Sequence, residues 1–357
     1  MRAHTAAIVA AGGQARVHAS AYARLATLVA VADPVEAARE SLAADFGVPR
    51  AYDDFERMLL AERPEIVSIC TPPAFHKPAV IAAVASGAKA VHCEKPIALS
   101  YADVLDLVEL AEASGVQLTF NLQRRLDPVH RYARDALRSG AIGEVHSFEA
   151  HCPNLLDWGS HIVDLLLFYR DDLAPSDVFG QVDVSVNRYV YGAMMESASL
   201  TSVSWSDGVH ATITTGRDPA SPVLHRAVPL GVIVEGSHGR ITITGDGCTV
   251  QRFGGPYERF DAPVDRDMSS WDHGIDPAIF AATSEAIRDL IGALDSGDEP
   301  ICAARFGAAG AEIIFATYQS SAARTRVTLP LDRAALTIPE GVARGYWRPV
   351  GNTVSTY

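Results

Sequence analysis

The chain has 357 residues, 48% hydrophobic and 20% charged, a composition that supports a large buried core and about two domains. Its 30 Lys and Arg against 43 Asp and Glu leave a formal charge of −13, which argues against nucleic acid or an anionic membrane as a main partner, since both need a basic footprint. Five scattered cysteines (Cys70, Cys93, Cys152, Cys248, Cys302) form no CxxC and no metal-ligand spacing, so reduced thiols in a cytoplasm and no metal centre are expected. MRAHTAAIVAAGG is too short in apolar length for a signal peptide, and no apolar run is long enough to span a membrane.

In chain order, TAAIVAA reads as a buried strand and GGQARVHASAYARLA as a helix. LVAVAD is a second strand, and PVEAARESLAADFG is a helix with Pro at its start and Gly at its stop. DDFERMLLAERP, EIVSICTPP, KPAVIAAVASG, AKAVHCEKP, SYADVLDLVELAEASG and VQLTFNL continue the alternation. Apolar strands alternating with helices of this length predict an α/β domain, a doubly wound parallel sheet, over residues 1–125. After Asp127-Pro128 the texture changes. A helix, HRYARDALRSG, leads into EVHSFEAH, VDVSVNRYVYG, SASLTSVSWSDG, HATITTG, GVIVEGSHG and RITITGDG. DG and HG turns separate several of these, as in antiparallel hairpins. Two long helical segments and the short strand RVTLPL follow, so residues 126–357 are expected to form an α+β domain on a large, mostly antiparallel open sheet.

In a parallel sheet, ligands collect at the carboxyl ends of the strands. The first strand ends in Ala10-x-Gly12-x-x-Ala15, with Gly13 and Gln14 between, where a dinucleotide fingerprint has G-x-G-x-x-G. Gly12 lets the backbone approach a pyrophosphate, and Ala at the third position is tolerated; Ala10 departs from the pattern. Asp33 ends the second strand, where a carboxylate binds the ribose hydroxyls and repels a 2′-phosphate, favouring NAD over NADP. It also suits the start of the next helix. In CTPPAFH, Thr71 and Pro72 form a rigid strand-end turn, with His76 a structural residue or a cofactor contact.

AVHCEKPIAL ends an apolar strand in Glu94-Lys95-Pro96, although charge is costly to desolvate there. The two charges read either as a strand-end ion pair or as chemistry, with Lys95 transferring a proton and Glu94 bonding a ribose. LLDWGSHIVDLLLFY sets Asp157, His161 and Asp164 in an apolar helical stretch, with Asp157 and His161 on one face. A carboxylate one turn from a histidine orients it for proton transfer. Helix-start charges beside a core histidine, or a metal pair, are the other readings.

The ordered set AGGQARVHA, AVADP, TPPAFH, CEKPIALS, NLQRRLDP, SGAIGEV, DWGSHIVDLLL and VEGSHGRITI resembles the Gfo/Idh/MocA oxidoreductases, relatives of glucose–fructose oxidoreductase and inositol dehydrogenase. The resemblance implies a Rossmann domain that binds NAD, with NADP as second candidate, and a C-terminal domain that binds substrate and builds homodimers or homotetramers. It implies oxidation or reduction at a hydroxyl or carbonyl carbon of a sugar, cyclitol or derivative. By position, Lys95, Asp157 and His161 match catalytic residues, with Lys95 also touching the cofactor. Gly12, Gly13, Gln14, Ala15, Asp33, Thr71, Pro72, His76, Glu94 and Gln123 match cofactor contacts. Arg124 matches a substrate contact, and all three catalytic residues also face the substrate. Asn154, Trp158, Arg188 and His225 are further candidate selectors, although Arg188 suits an exposed strand position. The alternatives are glycoside cleavage or epimerisation on tightly held NAD without net redox, and a non-catalytic dinucleotide sensor.

Overall fold

The computed structural model describes residues 4–216, 231–244, 247–262 and 276–351, and the main chain of 353–356. In chain order the first elements are β1 (Thr5–Val9), α1 (Gly13–Leu25), β2 (Thr27–Ala32), α2 (Glu36–Phe46), β3 (Ala51–Tyr52) and α3 (Phe55–Glu62). There follow β4 (Ile66–Ile69), α4 (His76–Ala85), β5 (Ala90–Cys93), α5 (Tyr101–Ser114) and β6 (Gln117–Phe120). Next come α6 (Pro128–Arg138), β7 (Val145–Cys152), α7 (Trp158–Tyr169), β8 (Asp177–Asp183), β9 (Asn187–Val190) and β10 (Ala193–Met195). The strands β11 (Ala198–Ser204), β12 (His210–Gly216), β13 (Gly231–Gly236), β14 (Gly239–Thr244), β15 (Gly247–Arg252) and β16 (Tyr257–Asp261) precede α8 (Pro277–Ser296). The chain closes with α9 (Ala304–Ala323), β17 (Val327–Thr328), α10 (Ile338–Ala343) and β18 (Thr353–Thr356).

The described residues form two compact units. The first takes residues up to 98, 103–127 and 276–307. Its six strands are parallel in the order β3-β2-β1-β4-β5-β6, the doubly wound order with its reversal between β1 and β4. Every residue of β4 and β5 is buried, which is why these strands read as mainly apolar runs, broken by Ser68 and His92, rather than as alternation.

The division differs from a single boundary at 125/126. Helix α8, far along the chain, returns to the first unit, where Ile287 and Leu290 join Ala15, Ala19 and Tyr22 of α1 in one apolar core with Ile8 and Val31. The physical reason is coverage: α8 packs against α1 and joins its small alanines in one core, out of water. Gln117 then donates to the carbonyls of Ala293 and Asp298, both at 3.1 Å, and Thr119 forms a bridge with Ala303.

The second unit takes residues 99–102, 128–262 and 308 onward. Its nine-stranded sheet runs β16-β15-β14-β13-β7-β12-β11-β8-β17, antiparallel except for the β7–β12 pair. Burial alternates along β11, so one face is core and the other is not. Helix α9 lies flush on the covered face at Gly180, where a Cβ would come within 2.5 Å of Thr317 Cγ2. Ser320 Oγ accepts the Gly180 N–H at 2.9 Å. A three-stranded sheet, β10-β9-β18, completes the unit. Among the described residues no helix is long and apolar enough to cross a membrane.

Candidate functional site

The turn after β1 delivers the chain into α1 with Gly12, Gly13 and Gln14 exposed and Ala15 fully buried. A Cβ added at Gly12 or Gly13 meets nothing within 4 Å, so these glycines keep open space over the first N–H groups of a 13-residue helix. Such an end attracts a phosphate through its free N–H groups and dipole. Ala15 does different work: as a small residue it lets α1 settle on the sheet. Ala10 keeps the backbone conformation for which a fingerprint uses glycine, with φ at 87°. A side chain in this left-handed region costs about 1–2 kcal/mol. The Ala10 N–H bonds the Ala32 carbonyl at 2.8 Å, which ties the turn to the end of β2.

Asp33 follows directly on β2. Its carboxylate accepts the N–H of Ala11 at 2.8 Å and that of Val35 at 2.8 Å, so it holds the glycine turn as well as starting the next segment. The second sequence reading of Asp33, at the start of the next segment, is thus seen in its bond to Val35. A pocket of about 380 Å³ opens beside it at the ends of β1, β2 and β4, lined by Ala10, Asp33, Thr71, Pro72 and Phe75 among others. Asp53, Asp54 and Phe55 also line it, although nothing local in the sequence marks them. They arrive through the β3–α3 connection, a tertiary event.

At the end of β5 the charges are not a surface pair. Glu94 is 5% exposed, and one carboxylate oxygen accepts from His18 Nε2 at 3.0 Å and from Asn121 Nδ2 at 2.7 Å. The other accepts the Lys95 N–H at 3.1 Å. His18, fully buried, engages Ser68 Oγ through Nδ1 at 2.7 Å. Burial alone would push this imidazole down, but Cys70 and Glu94 beside it overcome that and raise it to about 10. Burial likewise opposes the Glu94 charge, yet the His18 hydrogen bond and charge hold its carboxyl far below the usual range. His92, its ring 5.1 Å from that of His18, is driven down to about 3 by burial and by the His18 charge. One histidine is therefore cationic and its neighbour neutral, although both are buried. Neither His18 nor Asn121 stood out in the sequence, because their partners lie tens of residues away.

His76 is fully buried as well. Its ring nitrogens face the carbonyls of Pro96 at 2.9 Å and Thr71 at 2.8 Å, so it clamps two strand-end loops together. The structural role expected for it is thus visible in these two contacts. Gln123 opens a short 3-10 turn and is buried; the Arg124 side chain beside it is half-buried.

In the second unit, residues 159–169 of α7 are all buried. Asp157 at its N-terminus is 3% exposed, His161 5% and Asp164 1%, in a helix otherwise apolar. Asp157 and His161 are one turn apart, about 6 Å along the axis. Asn154, expected as a substrate selector, caps this helix: its side-chain oxygen accepts the N–H of Asp157 at 2.9 Å and of Trp158 at 3.0 Å. Trp158 is 36% exposed. The segment before the helix is held by the fully buried Glu196, which accepts the Leu155 N–H and, at 3.0 Å, the Tyr318 hydroxyl. Burial pushes the Glu196 carboxyl up. Arg188 is a half-buried β9 residue paired with Met195, and His225 lies outside the described residues. Among the described residues no group of three or more His, Cys, Asp or Glu is arranged to hold a metal ion.

A six-stranded doubly wound sheet, an open glycine turn at a helix start and a carboxylate ending β2 define a dinucleotide-binding oxidoreductase domain, and the residues fit that cofactor. Residues 5–122 match the Gfo/Idh/MocA family model, described as an oxidoreductase family with an NAD-binding Rossmann fold. Over this domain the chain is similar to the Gfo/Idh/MocA oxidoreductases. It is 33% identical to the D-glucoside 3-dehydrogenase of Escherichia coli over 39% of its length, a match spanning 40% of that relative. It is 26% identical to the D-apiose dehydrogenase of Paraburkholderia graminis over 88% of its length and 87% of the relative's. The fold is that of an NAD-binding oxidoreductase from Klebsiella pneumoniae, with a TM-score of 0.78 and 21% identity over 93% of this chain and all of the other.

Two outcomes follow from this geometry. Ala10→Gly relieves the left-handed side chain and raises unfolding stability by about 1 kcal/mol, read by urea denaturation; a loss of stability contradicts the strain. The His18 imidazole, near 6.5 when unfolded and about 10 when folded, stabilises fully below about 6.5 and loses that contribution as pH rises toward 10. Glu94, lowered on folding, contributes above its unfolded value of 4.5 and loses that contribution as pH falls through its folded value. Urea midpoints therefore fall between pH 7 and pH 9.5 (about 1.4 kcal/mol per pH unit at most) in the wild type, and far less in His18→Leu/Glu94→Leu.

Proposed function

We propose that the chain is an NAD-dependent dehydrogenase acting on a secondary alcohol of a sugar, cyclitol or related polyol. The observation that carries this reading is acid–base chemistry kept in otherwise apolar surroundings: Lys95 directly after the buried β5, and Asp157 and His161 one turn apart on α7. The two named relatives, acting on a glucoside and on apiose, support the substrate class.

Bound nicotinamide supplies the hydride acceptor. The protein takes the hydroxyl proton and steadies the charge that develops on oxygen. His161 is the base, since an imidazole titrates near working pH, about 6.5. Asp157 orients it or bonds a neighbouring hydroxyl. Lys95, as a cation, stabilises the forming alkoxide. The exposed turn at Gly12, Gly13 and Gln14 holds the pyrophosphate, Asp33 the ribose, and Thr71 and Pro72 the adenosine side, with Gln123 and Arg124 toward nicotinamide and substrate. Trp158, partly exposed, offers a face to a sugar ring. Asp33, Asp53 and Asp54 are among the residues lining the pocket at the end of β2, and the Asp33 carboxylate there favours NAD over a 2′-phosphorylated cofactor.

Absorbance of reduced nicotinamide is followed with NAD, then NADP, across free sugars, inositols and glycosides, with glycoside cleavage monitored in parallel. NADH formation from a free sugar or polyol, at least about tenfold faster than with NADP, is the expected result, with Lys95→Met losing about 100-fold or more while still binding NAD. Cleavage without net NADH replaces this reading with redox-assisted glycoside chemistry. Tight NAD binding with no turnover across the panel points to a sensor.

A reducing cytoplasm suits the five free cysteines. A homo-oligomer suits the uncovered face of the nine-stranded sheet, where Phe179 and Leu200 are 37% and 42% exposed on neighbouring strands. Light scattering after gel filtration is expected to give a dimer or tetramer mass; a monomer at micromolar concentration ends that reading.

A further inference from the structure

The hydride-transfer reading gives no task to His18, yet the fold maintains a buried cation there. Replacing a buried ion pair by apolar side chains of similar volume is often neutral or stabilising, so stability alone does not explain the pair. His18 comes from α1 and faces Ser68 and Cys70 around the end of β4, His92 on β5 and Glu94 just past it, and Asn121 after β6. Two of these segments, through His18 and Asn121, hold one Glu94 oxygen. The other oxygen accepts the main-chain N–H of Lys95.

We propose that His18 and Glu94 are positioning residues that fix the main chain from which Lys95 projects. The inference rests on the reading of Lys95 as a catalytic group. With one Glu94 oxygen held between His18 and Asn121, the carboxylate cannot rotate, and the other oxygen stays aimed at the Lys95 N–H. A charge-assisted bond of this kind is about twice as strong as a neutral one. A glutamate that merely neutralised Lys95 would meet its ammonium rather than its amide.

Lysine occurs at three positions, 77, 89 and 95, which makes the side chain itself a reporter. Lys77 is paired with Asp103 and Asp106, and Lys89 with Glu65, so both serve as internal references. Reductive methylation of the full chain with 13C-formaldehyde keeps each lysine cationic and gives three lysine NMR signals, with Lys95 assigned from Lys95→Arg. His18→Leu/Glu94→Leu removes a cation and an anion together, so local net charge is unchanged. The expected result is a Lys95 signal that shifts, broadens and titrates differently, with those of Lys77 and Lys89 unmoved. Glu94→Gln, with one acceptor oxygen where the carboxylate has two, cannot hold the Lys95 N–H and the His18–Asn121 side together, and moves the Lys95 signal in the same direction as the double variant. A Lys95 signal unchanged in the double variant overturns the proposal, as does a common movement of all three. Should the double variant fail to fold, His18→Met substitutes: it removes the donor to Glu94 and must move Lys95 in the same direction, and no movement overturns the proposal. These signals need no substrate, so turnover retained by Lys95→Met would refute the catalytic reading of Lys95 without touching the positioning result.

Discussion

A parallel sheet covered on both faces leaves one place for chemistry, the ends of its strands. Along β4 and β5 every side chain is buried, so no polar group there can face water without breaking the layer. Polar residues consequently gather at and just past the strand ends, at Glu94, Asn121 and, after β2, Asp33, while Ser68 and His92 inside β4 and β5 are hydrogen-bonded within the protein. Each must be satisfied by the protein itself, because an unpaired buried polar group costs more than the bond it could have made. The network around His18 is the result of that rule, with an α1 residue reaching under the sheet's end to complete it.

The two units use the same device at different places. Glu94 accepts the N–H of Lys95, and Glu196 accepts the N–H of Leu155, two residues before Asp157. Both carboxylates are buried, and both hold main chain immediately next to a residue proposed for chemistry. They are shifted in opposite directions. A nearby imidazolium keeps Glu94 ionised, whereas Glu196 has a tyrosine hydroxyl and more distant help from Arg188, and burial raises it. Fixing a backbone amide by a carboxylate gives a shorter and stronger bond than a carbonyl would, at the cost of desolvating the acid.

Local chemistry was readable where it acts over a few residues. The glycine turn, the helix stop at Gly47 with φ at 64°, and the alternation of the second unit's strands all follow from the chain's own neighbours. Asn154 shows the limit of that reading. As a polar residue near a proposed catalytic pair it resembles a substrate selector, but its oxygen is taken by two N–H groups of the helix it starts. His76 is similar: a histidine beside a rigid turn, it spends both ring nitrogens on carbonyls of two loops.

By itself the sequence determined the fold class, the alternation of strands and helices in the first unit, the glycine turn after β1, and the presence of Lys95, Asp157 and His161 in apolar surroundings. These depend on hydrophobic period and on turn residues, which are encoded within windows of a few to about 18 residues. Tertiary structure alone decided that α8 returns to cover α1, that Asp53 and Asp54 join Asp33 around one pocket, and that His18 carries a charge while His92 does not. Those outcomes depend on which distant residues meet and how far water is excluded, and neither burial nor a partner fifty residues away is written in a local pattern.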